Sequence, residues 1–111
     1  MGVGMAAGLL GVFWMVPASA ATFGELASWC APEASGGRPQ LCSSYLQTYL
    51  PALRSDDATL NDGVRACVPD SVDEAELLRL IRAFADAHPE AAQLSGIAGT
   101  GEALKDRFPC Q

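Results

Sequence analysis

Four cysteines, Cys30, Cys42, Cys67 and Cys110, punctuate a chain of 111 residues. An even number in a chain this short reads as two disulfides, and disulfides persist only in an oxidising compartment. A zinc site is not indicated: no C-x-x-C pair occurs, and the single histidine, His88, has no cysteine near it. Thioredoxin-type redox chemistry lacks its motif for the same reason. Three pairings of four cysteines are possible, so the choice among them waits on where the helices lie.

The compartment is signalled at the other end of the chain. Residues 1–20 contain no Asp, Glu, Lys or Arg, so all 13 acids and all 7 Lys and Arg fall in residues 21–111, for a net charge of 7 − 13 = −6. Leu9–Val16 forms a short apolar run, and Pro17-Ala18-Ser19-Ala20 supplies a helix breaker and an A-x-A cleavage pattern. Residues 1–20 are thus expected to be a cleaved signal peptide, with an uncleaved N-terminal anchor as the alternative, since residues 1–22 are just long enough to cross a bilayer. Both place residues 21–111 outside the cytoplasm, in the periplasm if the source is Gram-negative, and after cleavage with no membrane attachment. What remains suffices for one small domain and not for a built-in cofactor fold. A pI near 4.5 argues against nucleic acid, whose binding needs clustered Lys and Arg.

Residues 21–111 read as all-α, about four helices arranged as two antiparallel hairpins. Thr22 and Glu25 have capping-box spacing ahead of the stripe Phe23, Leu26, Trp29, which makes a short helix ending near Cys30. Ala31–Pro39, with two prolines and Gly36-Gly37, is a loop. A second helix runs from about Gln40 to Leu53, its apolar face formed by Leu41, Tyr45, Leu46, Tyr49, Leu50 and Leu53; Pro51 should end or kink it. Ser55–Asp70 is a polar connection with room for one helical turn. The third helix is expected to start from Ser71 as N-cap with Glu74 completing a capping box. Acids Asp73, Glu74 and Glu76 crowd its positive end, and Leu77, Leu80, Ile81 and Phe84 form its stripe. Arg79, Arg82 and Asp86 take the other face, and His88-Pro89 stops it. The fourth segment, Glu90–Phe108, carries Leu94, Ile97, Ala98, Leu104 and Phe108 as its stripe. Gly96, Gly99 and Gly101 each cost a helix interior about 0.5–1 kcal/mol. Either the helix breaks there or a neighbour packs unusually close; a frayed or kinked centre is the expectation.

These elements choose the bridges. Cys30 closes the first helix and Cys42 lies in the first turn of the second, so the intervening loop brings them together. Cys67 precedes the third helix and Cys110 follows the fourth, and in an antiparallel hairpin those ends are neighbours. Cys30–Cys42 and Cys67–Cys110 is the pairing expected. Loop-closure arguments give about 3 kcal/mol for the short loop and about 4 kcal/mol for the long one.

The sequence assembles no active site, and binding without turnover is the expectation: no catalytic residue, no cofactor and no metal. His88 before a proline suits a helix C-terminus, which a protonated imidazole would complement. Asp56, Asp57 and Asp62 lack the alternating spacing and terminal Glu of a calcium loop. Gly99-Thr100-Gly101 follows no strand and carries no P-loop lysine. Tyr45 and Tyr49, one turn apart, suit core packing better than a contact patch.

The C-terminal half reads Cys67-Val68-Pro69, then an acidic helix start, then Leu77–Phe84, His88-Pro89-Glu90 and finally Ala103-Leu104-Lys105-Asp106-Arg107-Phe108-Pro109-Cys110. This resembles the Tai family of type VI secretion amidase-immunity proteins, which carry C-[IV]-P, H-P-E and A-L-x-x-x-F-P-C. The upstream Cys42-x-x-Tyr45 fits as well. The chain departs from that pattern at Thr48, where a glycine is usual, at Pro51, where an acid is usual, and in its three late glycines. The resemblance implies a periplasmic, helical, disulfide-bonded protein, often a homodimer. Its implied partner is a peptidoglycan amidase effector with a papain-like cysteine site, whose cleft it covers; no partner-contacting residue carries over. The alternative is an acid-stress periplasmic chaperone or other exported helical binding protein. Protonation of all the acids would move the net charge from −6 toward +8, counting His88. A chaperone of that kind would dissociate from dimer to monomer near pH 2–3, whereas the immunity reading expects no such change; sedimentation across that range separates them.

Overall fold

The computed structural model describes residues 21–111. The expected signal segment, residues 1–20, lies outside the described residues. Among the described residues five helices follow in order: α1 (Phe23–Trp29), α2 (Pro39–Arg54), α3 (Ala58–Asn61), α4 (Glu74–Ala87) and α5 (Gly96–Leu104). Short 3₁₀ segments, Glu33–Ser35 and Pro89–Gln93, lie after α1 and before α5. The all-helical, twice-stapled domain is the one expected, with a fifth short helix because the connection after α2 forms a turn of its own.

The capping box at α1 is present in full: Glu25 N–H donates to Thr22 Oγ1 at 3.2 Å and Thr22 N–H to Glu25 Oε1 at 3.1 Å. Phe23 and Leu26 are buried and Trp29 half-buried, as the stripe requires. Pro51 does not end α2, which runs on to Arg54. A proline this near the C-terminus removes one hydrogen bond, and the last carbonyls are satisfied from downstream. Asn61 Nδ2 donates to Ala52 O and Ser55 O at 3.0 and 2.9 Å, and Ala66 N–H donates to Leu53 O at 3.1 Å. Arg65 donates to Arg54 O at 2.7 Å and to Ser55 O at 3.0 Å. Leu53 can therefore insert fully into the core.

The start of α4 differs from the expectation. Val72 N–H closes a turn on Pro69 O at 3.3 Å, which consumes Ser71, so Asp73 is the N-cap and makes no side-chain cap bond. Leu77 and Ile81 are buried, Leu80 and Phe84 half-buried. His88 caps the C-terminus, its N–H donating to Phe84 O at 2.9 Å.

The fourth segment also needs correction. It breaks at Leu94-Ser95, ahead of the glycines, and Leu94 is 38% exposed instead of belonging to the buried stripe. Ser95 then caps α5, its Oγ accepting from Ala98 N–H at 3.1 Å. Gly96, Gly99 and Gly101 lie buried inside α5, which runs unbroken from Gly96 to Leu104. Close packing is the reason: a Cβ at Gly99 would overlap the Phe23 side chain, one at Gly96 the Tyr49 hydroxyl, and one at Gly101 the Val64 side chain. The helix ends at Leu104, and Phe108 is buried beyond it.

Two backbone bonds tie the helix starts together. Phe23 N–H donates to Leu94 O and Gly96 N–H to Ala21 O, both at 2.9 Å, around an antiparallel Thr22–Ser95 bridge. Cys30–Cys42 staples α1 to α2 with Cα atoms 5.1 Å apart. Cys67–Cys110 joins the entry to α4 with the chain end at 5.0 Å, next to a hydrogen bond from Cys67 N–H to Phe108 O. One core of Phe23, Leu26, Leu46, Leu53, Ile81 and Leu104 runs between the stapled parts. Among the described residues no helix is long and apolar enough to cross a membrane.

Gly99→Ala is expected to destabilise the domain by about 1–3 kcal/mol, measured by urea unfolding, because the added methyl group must displace Phe23. Replacing Cys67 and Cys110 together by Ala should cost about 2–5 kcal/mol in the same assay.

Candidate functional site

The ionisable side chains are dispersed, and most serve the fold. Asp56 pairs with Arg65 at 3.1 Å. Asp57 caps α3, accepting from Thr59 N–H at 3.0 Å and Thr59 Oγ1 at 2.7 Å. Asp62 accepts from Ser95 Oγ at 2.6 Å. The three acids weighed as a calcium loop thus go to three separate tasks. Among the described residues no group of three or more His, Cys, Asp or Glu could hold a metal ion. All four cysteines are in bridges. His88 stacks on Phe84 with ring centroids 4.4 Å apart and places Nδ1 3.2 Å from Glu90 Oε2.

Local bonding sets the titrations. Hydrogen bonds from the Thr59 side chain and N–H hold the Asp57 carboxyl below the usual carboxylate range. The Arg79 guanidinium does the same for Glu76, while Glu90 is lowered first by its own backbone N–H and then by His88. Glu102, 2.8 Å from Lys105 Nζ, raises that ammonium. Burial raises the Tyr49 phenol, with Tyr45 adding to it.

Two surface features remain. Trp29, Tyr45 and Tyr49 form a row with centroid spacings of 5.2 and 5.8 Å. All three rings are half-buried, so the tyrosines are neither fully core nor free. The second is a groove of about 430 Å³ between α1, the turn that follows it, and α4. Phe23, Ala27, Ala31, Pro32, Ala85 and Ala92 give it an apolar lining, and Arg82 and Asp86 add charge. Arg82 Nε is buried and has no hydrogen-bond partner among the described residues. An unsatisfied buried donor of this kind costs about 1–3 kcal/mol. The helical pattern put Arg82 on the solvent face; its adjacency to Ile81, at the edge of the stripe, was the available signal that it is half-buried.

Among the described residues the arrangement offers contact surface. A family model matches residues 22–110, from the cap of α1 to the cysteine of the second bridge; it is described as Rap1a immunity proteins. The chain belongs to the Rap1a immunity protein family. No curated protein and no solved structure matches it. Membership in Rap1a agrees with the immunity class that the sequence resemblance implied, under a different family name from Tai. An immunity protein acts by binding its cognate effector, so the functional site of a Rap1a protein is a surface that a protein covers.

The shifted groups give this Rap1a domain a definite pH window. Carboxyls lowered on folding contribute stability that is present above their unfolded pKa, about 4, and is lost as pH falls through the folded values. Lys105 and Tyr49, raised on folding, contribute stability that is present below about pH 10 and lost as pH rises through theirs. The thermal midpoint, followed by circular dichroism, should be flat between about pH 5 and 9 and fall on both sides.

Proposed function

We propose that this Rap1a-family chain is exported to the periplasm and there binds and occludes a peptidoglycan amidase delivered by type VI secretion. The observation that carries the reading is the family match across residues 22–110, which spans every helix of the domain. The motifs of the Tai resemblance support the finer assignment, and their positions sit at the frame. Cys67 and Cys110 are bonded to each other, Val68 O accepts from Arg54 Nε and Nη2 at 3.2 and 3.0 Å, and His88-Pro89 terminates α4. Positions of this kind keep a family's fold while leaving its contact surfaces free to vary.

Cleavage after Ala20 is compatible with the fold of the described residues. Ala21 O already accepts from Gly96 N–H, so cleavage after Ala20 leaves the Thr22 cap intact. The exported protein should therefore begin at Ala21, which intact-mass measurement of a periplasmic extract would read. By the same resemblance the working form is a homodimer that covers the amidase cleft, acting without turnover, metal or cofactor.

Co-expression with a type VI cysteine amidase directed to the periplasm tests the proposal. The full chain should prevent lysis, and a form lacking residues 1–20 and retained in the cytoplasm should not. In vitro, purified protein should abolish cleavage of peptidoglycan at stoichiometric amounts. Continued lysis and undiminished hydrolysis across a panel of such amidases would refute it.

A further inference from the structure

We infer that the groove between α1 and α4 is the docking place for an acidic segment of the protein partner, a carboxylate next to a bulky apolar side chain, with Arg82 as its electrostatic anchor. The inference rests on the reading of the chain as a protein that binds an effector. Four of the six apolar side chains that line it are alanines, so the space of about 430 Å³ exists because short side chains leave it open. That volume and lining suit a ring or a branched chain.

Charge decides what accompanies it. Cations are scarce in a chain of net charge −6, and most are already engaged. Arg54, Arg65, Arg79 and Lys105 each hold a carboxylate at 2.8–3.1 Å, and Arg107 lies 4.9 Å from the Phe108 ring centroid. Arg82 has no ion-pair partner among the described residues, and its Nε is the buried donor without an acceptor. Asp86 lies one helical turn further along α4, at a spacing that lets Arg and Asp pair on a helix surface. The two do not pair, although both line the groove, so the guanidinium is left for another acceptor. A carboxylate matches it, since it accepts two charge-assisted hydrogen bonds from the guanidinium fork. Asp86 repels a second acid and accepts an N–H or a basic group instead. The occupant is therefore a segment with one acid toward Arg82 and a donor toward Asp86, which a polyanion such as a nucleic acid or an anionic membrane surface does not provide.

The test uses the exported chain and two probes. Titration of N-acetyl-Phe-Asp-amide, followed by NMR, should give saturable shifts of the Arg82 Nε–H signal and of the Ala27 and Ala85 amides. N-acetyl-Phe-Asn-amide should bind at least fivefold more weakly, and Arg82→Gln should erase that difference while Arg82→Lys keeps part of it. Equal response to the two dipeptides, or none, overturns the inference. Against a purified amidase that the wild-type chain inhibits, Arg82→Gln and Ala85→Trp should each raise Kd at least tenfold, with Lys105→Gln within twofold and thermal midpoints confirming that the variants fold. Unchanged affinity in both groove variants sinks the groove and leaves the immunity reading standing. A dipeptide response from a chain that binds no amidase does the reverse.

Discussion

Phe23 lies against the backbone of α5 because residue 99 has no Cβ, and the rest of the domain is arranged around that approach. The ring is fully buried and meets Phe84 of α4 edge-on, with centroids 6.0 Å apart. One side chain thereby joins α1, α4 and α5. The same approach lets Thr22 and Ser95 bridge, so two helix starts exchange backbone bonds that would otherwise be left to solvent. Gly96 and Gly101 extend the contact to Tyr49 and Val64. Glycine is unfavourable in an isolated helix, but its cost is offset here by a large aromatic residue placed in the core.

The disulfides act on a different scale. Each joins segments that the core already brings close, and each limits the unfolded chain more than it shapes the folded one. The first part of the connection after α2 is held by hydrogen bonds: Asn61, Arg65 and Ala66 hold the end of α2 by bonding its final carbonyls. Asn61 is wholly buried for that task. With most basic side chains committed to such bonds and to ion pairs, the exposed charge of this Rap1a protein is mainly acidic. The unpaired Arg82 beside an apolar groove stands out against that background and directs attention to one face of α4.

Elements that depend on neighbours in sequence are legible in the sequence. Thr22 and Glu25 make their box, Leu77 and Ile81 turn inward, and His88 stops α4, since each follows from spacing along one helix. The bridges were legible too, because they follow from which helix ends adjoin. Ser71 and the late glycines depart from what local propensity favours, and Pro51 does not end α2. Ser71 was lost to a turn closed by Pro69, and Pro51 was tolerated because distant donors satisfied α2. The glycines are contact points, so the close-packing alternative holds and the favoured weak centre does not. In each case a partner far along the chain, or a competing turn, outweighed local propensity.

The order of residues alone indicated the helical class, the cysteine pairing and the immunity class, all of which rest on periodicity, spacing and motif. It could not show that α5 is a tight interface, that Leu94 faces outward, or that Arg82 borders a groove without a partner. Those depend on which surfaces meet after the chain has closed on itself. Helix periodicity names a buried face but not its neighbour, and a binding surface is defined by what packing leaves uncovered.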